Sequence, residues 1–203
     1  MDYAGLKTAV QTWLDRSDAS LIAAIPQFIQ FAEAVFNRRL RTIWQECQTS
    51  TPLLPTPIVE ATRGIYALPP DWLGHRYVFI RDPNLVMVYY QRIPALSDTV
   101  TTNWLLEAHP DLYLYTTLGA AEAWLKNDPR LPVWQQAAAT FLDDLDALGE
   151  HAKYDGQDLV CRPRENTTTR IRYLDSANFA DLEQGDAPAF TVTGKTLRIW
   201  PLP

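Results

Sequence analysis

Apolar residues recurring in steps of three and four dominate the first quarter of the chain, and this periodicity limits the possible folds more than any other feature. Ile29, Ala32, Phe36, Leu40, Ile43 and Cys47 fall on one helical face, and Phe28, Phe31 and Val35 widen it. The spacing predicts a helix from Pro26, whose missing N–H costs nothing in a first turn, to Cys47, a length of about 33 Å. So wide a face exceeds what one small helix can cover. Upstream, Leu6, Ala9, Val10, Trp13 and Leu14 predict a shorter helix from Leu6 to Asp15, broken by the cap-forming "DRSDAS". The first 47 residues therefore read as helical.

Two further helices are expected after residue 109. Pro110 suits a first helical position, and Leu114, Leu118, Ala121 and Leu125 make a stripe behind it. Trp134, Ala138, Phe141, Leu145 and Leu148 repeat the pattern beyond Pro129 and Pro132. Between the helical stretches, prolines 52, 55, 57, 69 and 70 exclude a regular helix and leave a short strand at Ile65 to Leu68. "RYVFI" and "LVMVYYQRI" read as strands joined by the turn "RDPN", the second apolar enough to be buried on both faces. Asp98 to Asn103 reads as a loop. Near the C-terminus "AFTVTGKTLRIWPLP" alternates about Gly194-Lys195, the strongest hairpin signal in the chain.

Composition excludes several function classes. With 203 residues, 47% of them hydrophobic and 21% charged, a sizeable core can form without metal or disulfide. Cys47 and Cys161 form no CxxC or zinc spacing and read as packing residues in a reducing compartment. No apolar run looks long enough for a membrane span, and "MDYAGLKTAVQ" lacks the pattern of a signal peptide, so a soluble protein without membrane contact is expected. The formal charge of -6 opposes a protein whose main task is gripping phosphates. Its densest basic cluster, Arg38, Arg39 and Arg41, reads first as a solvated face or a set of ion-pair partners.

Catalytic machinery is sparse. His75, His109 and His151 occupy no HExxH or HxH arrangement, and neither cysteine has a recognisable histidine partner. Eight glycines form no phosphate-binding loop. Asp143, Asp146 and Glu150 could attract a divalent cation but read better as the solvated face of a helix. No catalytic, metal or cofactor residue is therefore expected. Two alternatives stay open: an enzyme built on Asp and Glu, which would need a carboxylate of raised pKa in a pocket, and a small helical regulatory module binding nucleic acid or a host protein through the arginine cluster.

"LKTAVQTWLDRSD", "IPQFIQFAEAVFNRRLR", "YALPPDWL" and "VYYQRIPALSDTVTTNWLLEAHPDLYLYTTLGAAEAWLKND" together resemble the head–tail adaptor, or connector, proteins of tailed bacteriophages over most of residues 1 to 150. The resemblance implies a non-enzymatic virion protein without cofactor, assembled in the host cytoplasm. Its implied form is a dodecameric ring of copies of itself beneath the portal protein. Such a ring contacts a downstream tail or head-completion protein and lets double-stranded DNA pass through its channel without specific binding. One departure is visible. The family carries a segment like "IRYLDSANFADL…FTVTGKTLRIWPLP" between the "LPPDWL" and "VYYQRIPALSD" blocks, whereas here it follows the last helix.

These readings give a mainly α fold, a four-helix bundle with a small antiparallel β-sheet or hairpin element. Residues 1–154 form a helical core with strands near 65–93. Residues 155–203 supply a mobile linker, a short helix at "DSANFADL", and a hairpin packing on the 77–93 strands and joining one sheet with Leu85 to Ile93. Subunit or portal contacts are expected at Arg38, Arg39, Arg41, Trp104, Tyr113, Tyr115 and Trp124, because aromatic and arginine side chains anchor such interfaces.

Overall fold

Asp2 starts the first helix by accepting a hydrogen bond from the Gly5 amide at 2.7 Å. Helix α1 (Tyr3–Leu14) buries Tyr3, Leu6, Val10 and Leu14 and stops at Asp15, whose φ of 51° is left-handed. A computed structural model describes residues 1–52, 64–81, 84–125, 130–154, 168–170, 172–174, 180 and 189–200. The expected mobile linker lies outside the described residues over 155–167, and its end, Thr168–Arg170, is a strand; the short helix at "DSANFADL" lies outside them apart from Ala180.

Helix α2 (Ala19–Arg39) differs from its expected span at both ends. It begins at Ala19, after the Asp18 cap and seven residues before Pro26, so the proline sits inside it. The amide that Pro26 lacks costs helix stability. Burial of Leu21, Ile25, Phe28 and Ile29 to 2% exposure or less offsets that cost. At the far end Leu40 turns extended, and the Arg41 guanidinium donates to the Asn37 carbonyl at 3.0 Å. Ile43–Gln45 is a single 3₁₀ turn, and Glu46–Pro52 is strand β1. The apolar spacing of Ile43 and Cys47 continued the helical period only by coincidence. By length and composition α2 could cross a membrane, contrary to the expectation that no segment could; here its apolar face belongs to the core.

Helix α3 (Trp104–Ala108) is a single capped turn not foreseen from the sequence; its cap, Asn103, accepts from the Leu106 amide at 2.9 Å. Helix α4 (Pro110–Leu125) begins at the proline, as its fixed φ suggests, and α5 spans Leu131–Tyr154. Phe36 meets Tyr113 and Phe28 meets Trp124, so α2 and α4 run antiparallel. Phe141 meets Tyr115 and Trp134 reaches Glu122, so α5 is antiparallel to α4 and parallel to α2. Phe28, Phe36, Leu105, Leu112, Tyr113 and Leu118 lie at the centre of this core. On α5, Leu142 is buried, whereas Leu148 is 54% exposed, so the inward stripe ends sooner than its spacing suggests.

Among the described residues, the β elements form two four-stranded sheets. The first orders β1, β4 (Asn84–Gln91), β3 (Trp72–Arg81) and β5 (Thr168–Arg170), all antiparallel. The second orders β2 (Gly64–Ala67), β8 (Thr196–Trp200), β7 (Ala189–Thr193) and β6 (Arg172–Tyr173), with β6 parallel to β7. Alternate residues from both sheets fill one core: Val78, Ile80, Leu85, Met87 and Tyr89 against Tyr66, Phe190, Leu197 and Ile199. Gly194, with φ of 61°, makes the two-residue turn between β7 and β8 that its sequence predicts.

The expected four-helix bundle with a small β element is therefore incorrect. Among the described residues there are five helices and two sheets, and β1 takes residues assigned to a helix. The hairpin also does not share a sheet with Leu85 to Ile93. It pairs with β2, and its Phe190, Leu197 and Ile199 meet the other sheet through side chains alone. The chain divides into two compact units, a helical one of Met1–Ile43 with Arg92–Asp155 and a β unit of Trp44–Gln91 with Gly156–Pro203.

Candidate interaction surfaces

The threonine-rich segment before α3 is irregular but closely held. Within the helical unit, the Ile93 amide donates to Asn37 Oδ1 at 2.9 Å and the Leu96 amide to Glu33 Oε1 at 2.7 Å. Asn103 Nδ2 donates to the Pro94 carbonyl at 2.8 Å and to Tyr113 Oη at 2.7 Å. Ser97 Oγ accepts from the Val100 amide, and Lys7 pairs with Asp98 at 3.1 Å. Burial pushes the Glu33 carboxyl above its ordinary range, against the opposing effects of the Leu96 amide and Tyr113, and it pushes the Tyr113 phenol up as well. The irregular segment from Ile93 to Asn103, which includes the expected loop, is thus a strap fastened to α2 by Asn37 and Glu33.

Glu33 is the raised-pKa carboxyl that a carboxylate enzyme would need, but it is bound to the Leu96 amide of the strap and to Tyr113 of α4, and it is not among the residues lining the cavity between α2, α4 and α5. Glu122, also buried, accepts from Trp134 Nε1 and pairs with Arg130, each at 3.4 Å. In the β unit, His75 stacks on Tyr173 and meets the edge of Phe190, and burial lowers its pKa. His109 closes α3 through its backbone amide. Asp143 and Asp146 form no metal-ligating cluster among the described residues, and the Glu150 side chain lies outside them.

The seven candidate contact residues divide by exposure. Arg38 is exposed at the end of α2. Arg39 pairs with Asp143 at 2.5 Å, joining α2 to α5, and Arg41 closes the end of α2. Tyr113 is fully buried, so its ring has no area left for a neighbour. Trp104 is half-buried against the core, and Tyr115 sits among Trp13, Trp134 and Phe141 with ring separations of 5.5 to 5.7 Å. Trp124 keeps 45% of its surface exposed beside Phe28.

Sequence reasoning passed over two well-exposed apolar side chains of the helical unit as contact candidates. Phe31 is 52% exposed and Val133 59%. Phe31 borders a cavity of about 300 Å³ between α2, α4 and α5, floored by Gly119, Ala120, Ala138 and Ala139. The usable signal was the apolar face of "FIQFAEAVF", too wide for a single contact within the chain.

The sequence model of a family described as SU10 adaptor protein matches residues 1–84 and 80–158. The two matched segments overlap at residues 80–84 and stop before β5. A comparison with curated proteins finds no match. The matched residues take in both the helical unit and the β1 to β4 strands, and on that extent the chain belongs to the SU10 adaptor protein family, a structural family of bacteriophage adaptors.

Proposed function

We propose that this adaptor forms a ring of identical copies beneath the portal protein, joins the DNA-filled head to a downstream tail or head-completion protein, and continues the DNA channel. The family match carries this reading. The surface of the helical unit is in keeping with it: Trp13, Phe31, Trp124 and Val133 are each more than 40% exposed on a unit whose own core is already closed. The net charge of -6 suits a conduit, since a lumen through which DNA slides must not hold its phosphates. The regulatory alternative needs a continuous basic surface. Arg39 and Arg41 are instead engaged by Asp143 and by backbone carbonyls.

The test is electron microscopy of the purified chain, alone and mixed with the portal protein, together with the phenotype of its deletion. Rings on the portal, and filled heads without tails when the protein is missing, are the expected results. Normal joining of heads to tails in its absence would overturn the reading.

A further inference from the structure

The cavity between α2, α4 and α5 has small residues on its floor and Phe31 and Arg39 along its α2 side, with the exposed Arg38 outside its lining. Phe31 and Arg38 are seven residues apart and so share one face of α2. On α5, nine residues, or about 180° of helical turn, separate Val133 from Leu142 and Asp144 from Gln135. Leu142 and Gln135 line the cavity, so Val133 and the exposed Asp144 lie on the opposite face of the same helix. One helix therefore borders a hollow on one side and carries a ridge on the other. A head-to-tail contact between identical copies requires two unlike, mutually complementary surfaces of this kind.

Height along the helices matches as well. Arg39 bonds Asp143, and eight residues separate each from Phe31 and Gln135 respectively, so Phe31 lies level with Gln135 on the parallel helices. Val133 is two residues below the level of Phe31, and Asp144 is two above the level of Arg38, offsets of about 3 Å each in opposite directions that the side chains span. In a closed ring, copies are related by rotation without rise, so for helices running along the ring axis residues at equal height meet. The ridge's Val133 then reaches Phe31, and its Asp144 reaches Arg38, on the Phe31 face of α2 beside the cavity. Apolar meets apolar and acid meets base at nearby heights.

We propose that the α2–α4–α5 cavity receives the Val133–Asp144 face of α5 from the next copy of this chain. The proposal rests on the ring reading above and names its contact surfaces. Because Phe31, Val133, Arg38 and Asp144 are all exposed in the single chain, substitutions there leave its fold intact.

The test uses the full chain with Cys47 and Cys161 replaced by serine and carrying Phe31→Cys and Val133→Cys together, oxidised after assembly alone or on the portal. Covalent dimers, trimers and longer multimers should form on a non-reducing gel. Either cysteine alone should give none, because the two surfaces differ. Arg38→Asp should weaken association about tenfold, and adding Asp144→Arg should restore it. Rings without the multimer series would overturn this contact and leave the ring itself standing. Dimers from Phe31→Cys alone would mean a symmetric contact, and cross-links to the portal a different occupant; each overturns the proposal. Failure of the unsubstituted chain to form rings even on the portal would overturn the ring reading and this contact with it.

Discussion

In the helical unit each element buries a face that is complete within a few turns, whereas the β unit's core exists only when Tyr66, the strands from Val78 to Tyr89 and the hairpin from Phe190 to Ile199 are all present. The units also treat polarity differently. The helical unit encloses Glu33, Thr42, Asn103, Thr117 and Glu122, and it uses Glu33 and Asn103 to hold an irregular strap; among the described residues of the β unit the buried polar side chains are the uncharged Gln45 and Thr191. Local periodicity can build a helix before its partners arrive. A sheet must first close loops of a hundred residues, at an entropic cost that rises slowly with length but is met before any pairing returns it.

The sharpest way to break the comparison is Phe190→Ala. It removes a side chain packed against His75 and Tyr173 and should cost about 3–5 kcal/mol. Hydrogen exchange should show amides of β3, β4 and β8 losing protection while α4 keeps its own. Simultaneous loss in α4 would mean that the two units fold as one.

Tyr113→Phe addresses the helical unit's polar interior. It deletes the hydroxyl bonded to Asn103 and should cost about 1–3 kcal/mol in a denaturant titration, with protection lost first at Leu96 and Leu106. An unchanged midpoint would mean that the strap is held by its backbone alone.

Gly194→Ala should cost about 1 kcal/mol, confined to the β unit. A Cβ there meets nothing within 4 Å, so only the left-handed φ of 61° opposes it. A stability equal to that of the parent would show that the turn relaxes without resistance.

Glu33→Gln should have the smallest effect, and a pH-dependent one. A carboxyl whose folded pKa is raised binds its proton more tightly in the native state, so its contribution is fully present below the ordinary value of 4.5 and is lost as pH rises through the raised one. Glutamine keeps an oxygen for the Leu96 amide and carries no charge. The variant should match the parent in acid and surpass it above that window, as read by thermal unfolding across pH. A parent that gains on the variant as pH rises would reverse the sign and mean that ionised Glu33 stabilises the strap.

The sequence by itself determined α1, α4, most of α5, the β3–β4 pair and the Gly194-Lys195 hairpin, because each is written in spacing or turn chemistry within a dozen or so residues. It also carried the family, through long blocks near both ends of the helical unit. Tertiary structure alone decided the rest. It let α2 start before Pro26, where burial of Leu21 and Ile25 outweighs a lost amide bond, and it turned Cys47 from a helical position into a strand residue by supplying β4 as a partner. It placed Tyr113 in the core and left Phe31 outside, although both read simply as aromatics on helices. The hairpin's choice of β2 over β4 was equally hidden. Backbone pairing is nearly indifferent to side-chain identity, so the partner is settled by which faces can bury Phe190, Leu197 and Ile199 together, and that depends on residues far apart in the chain.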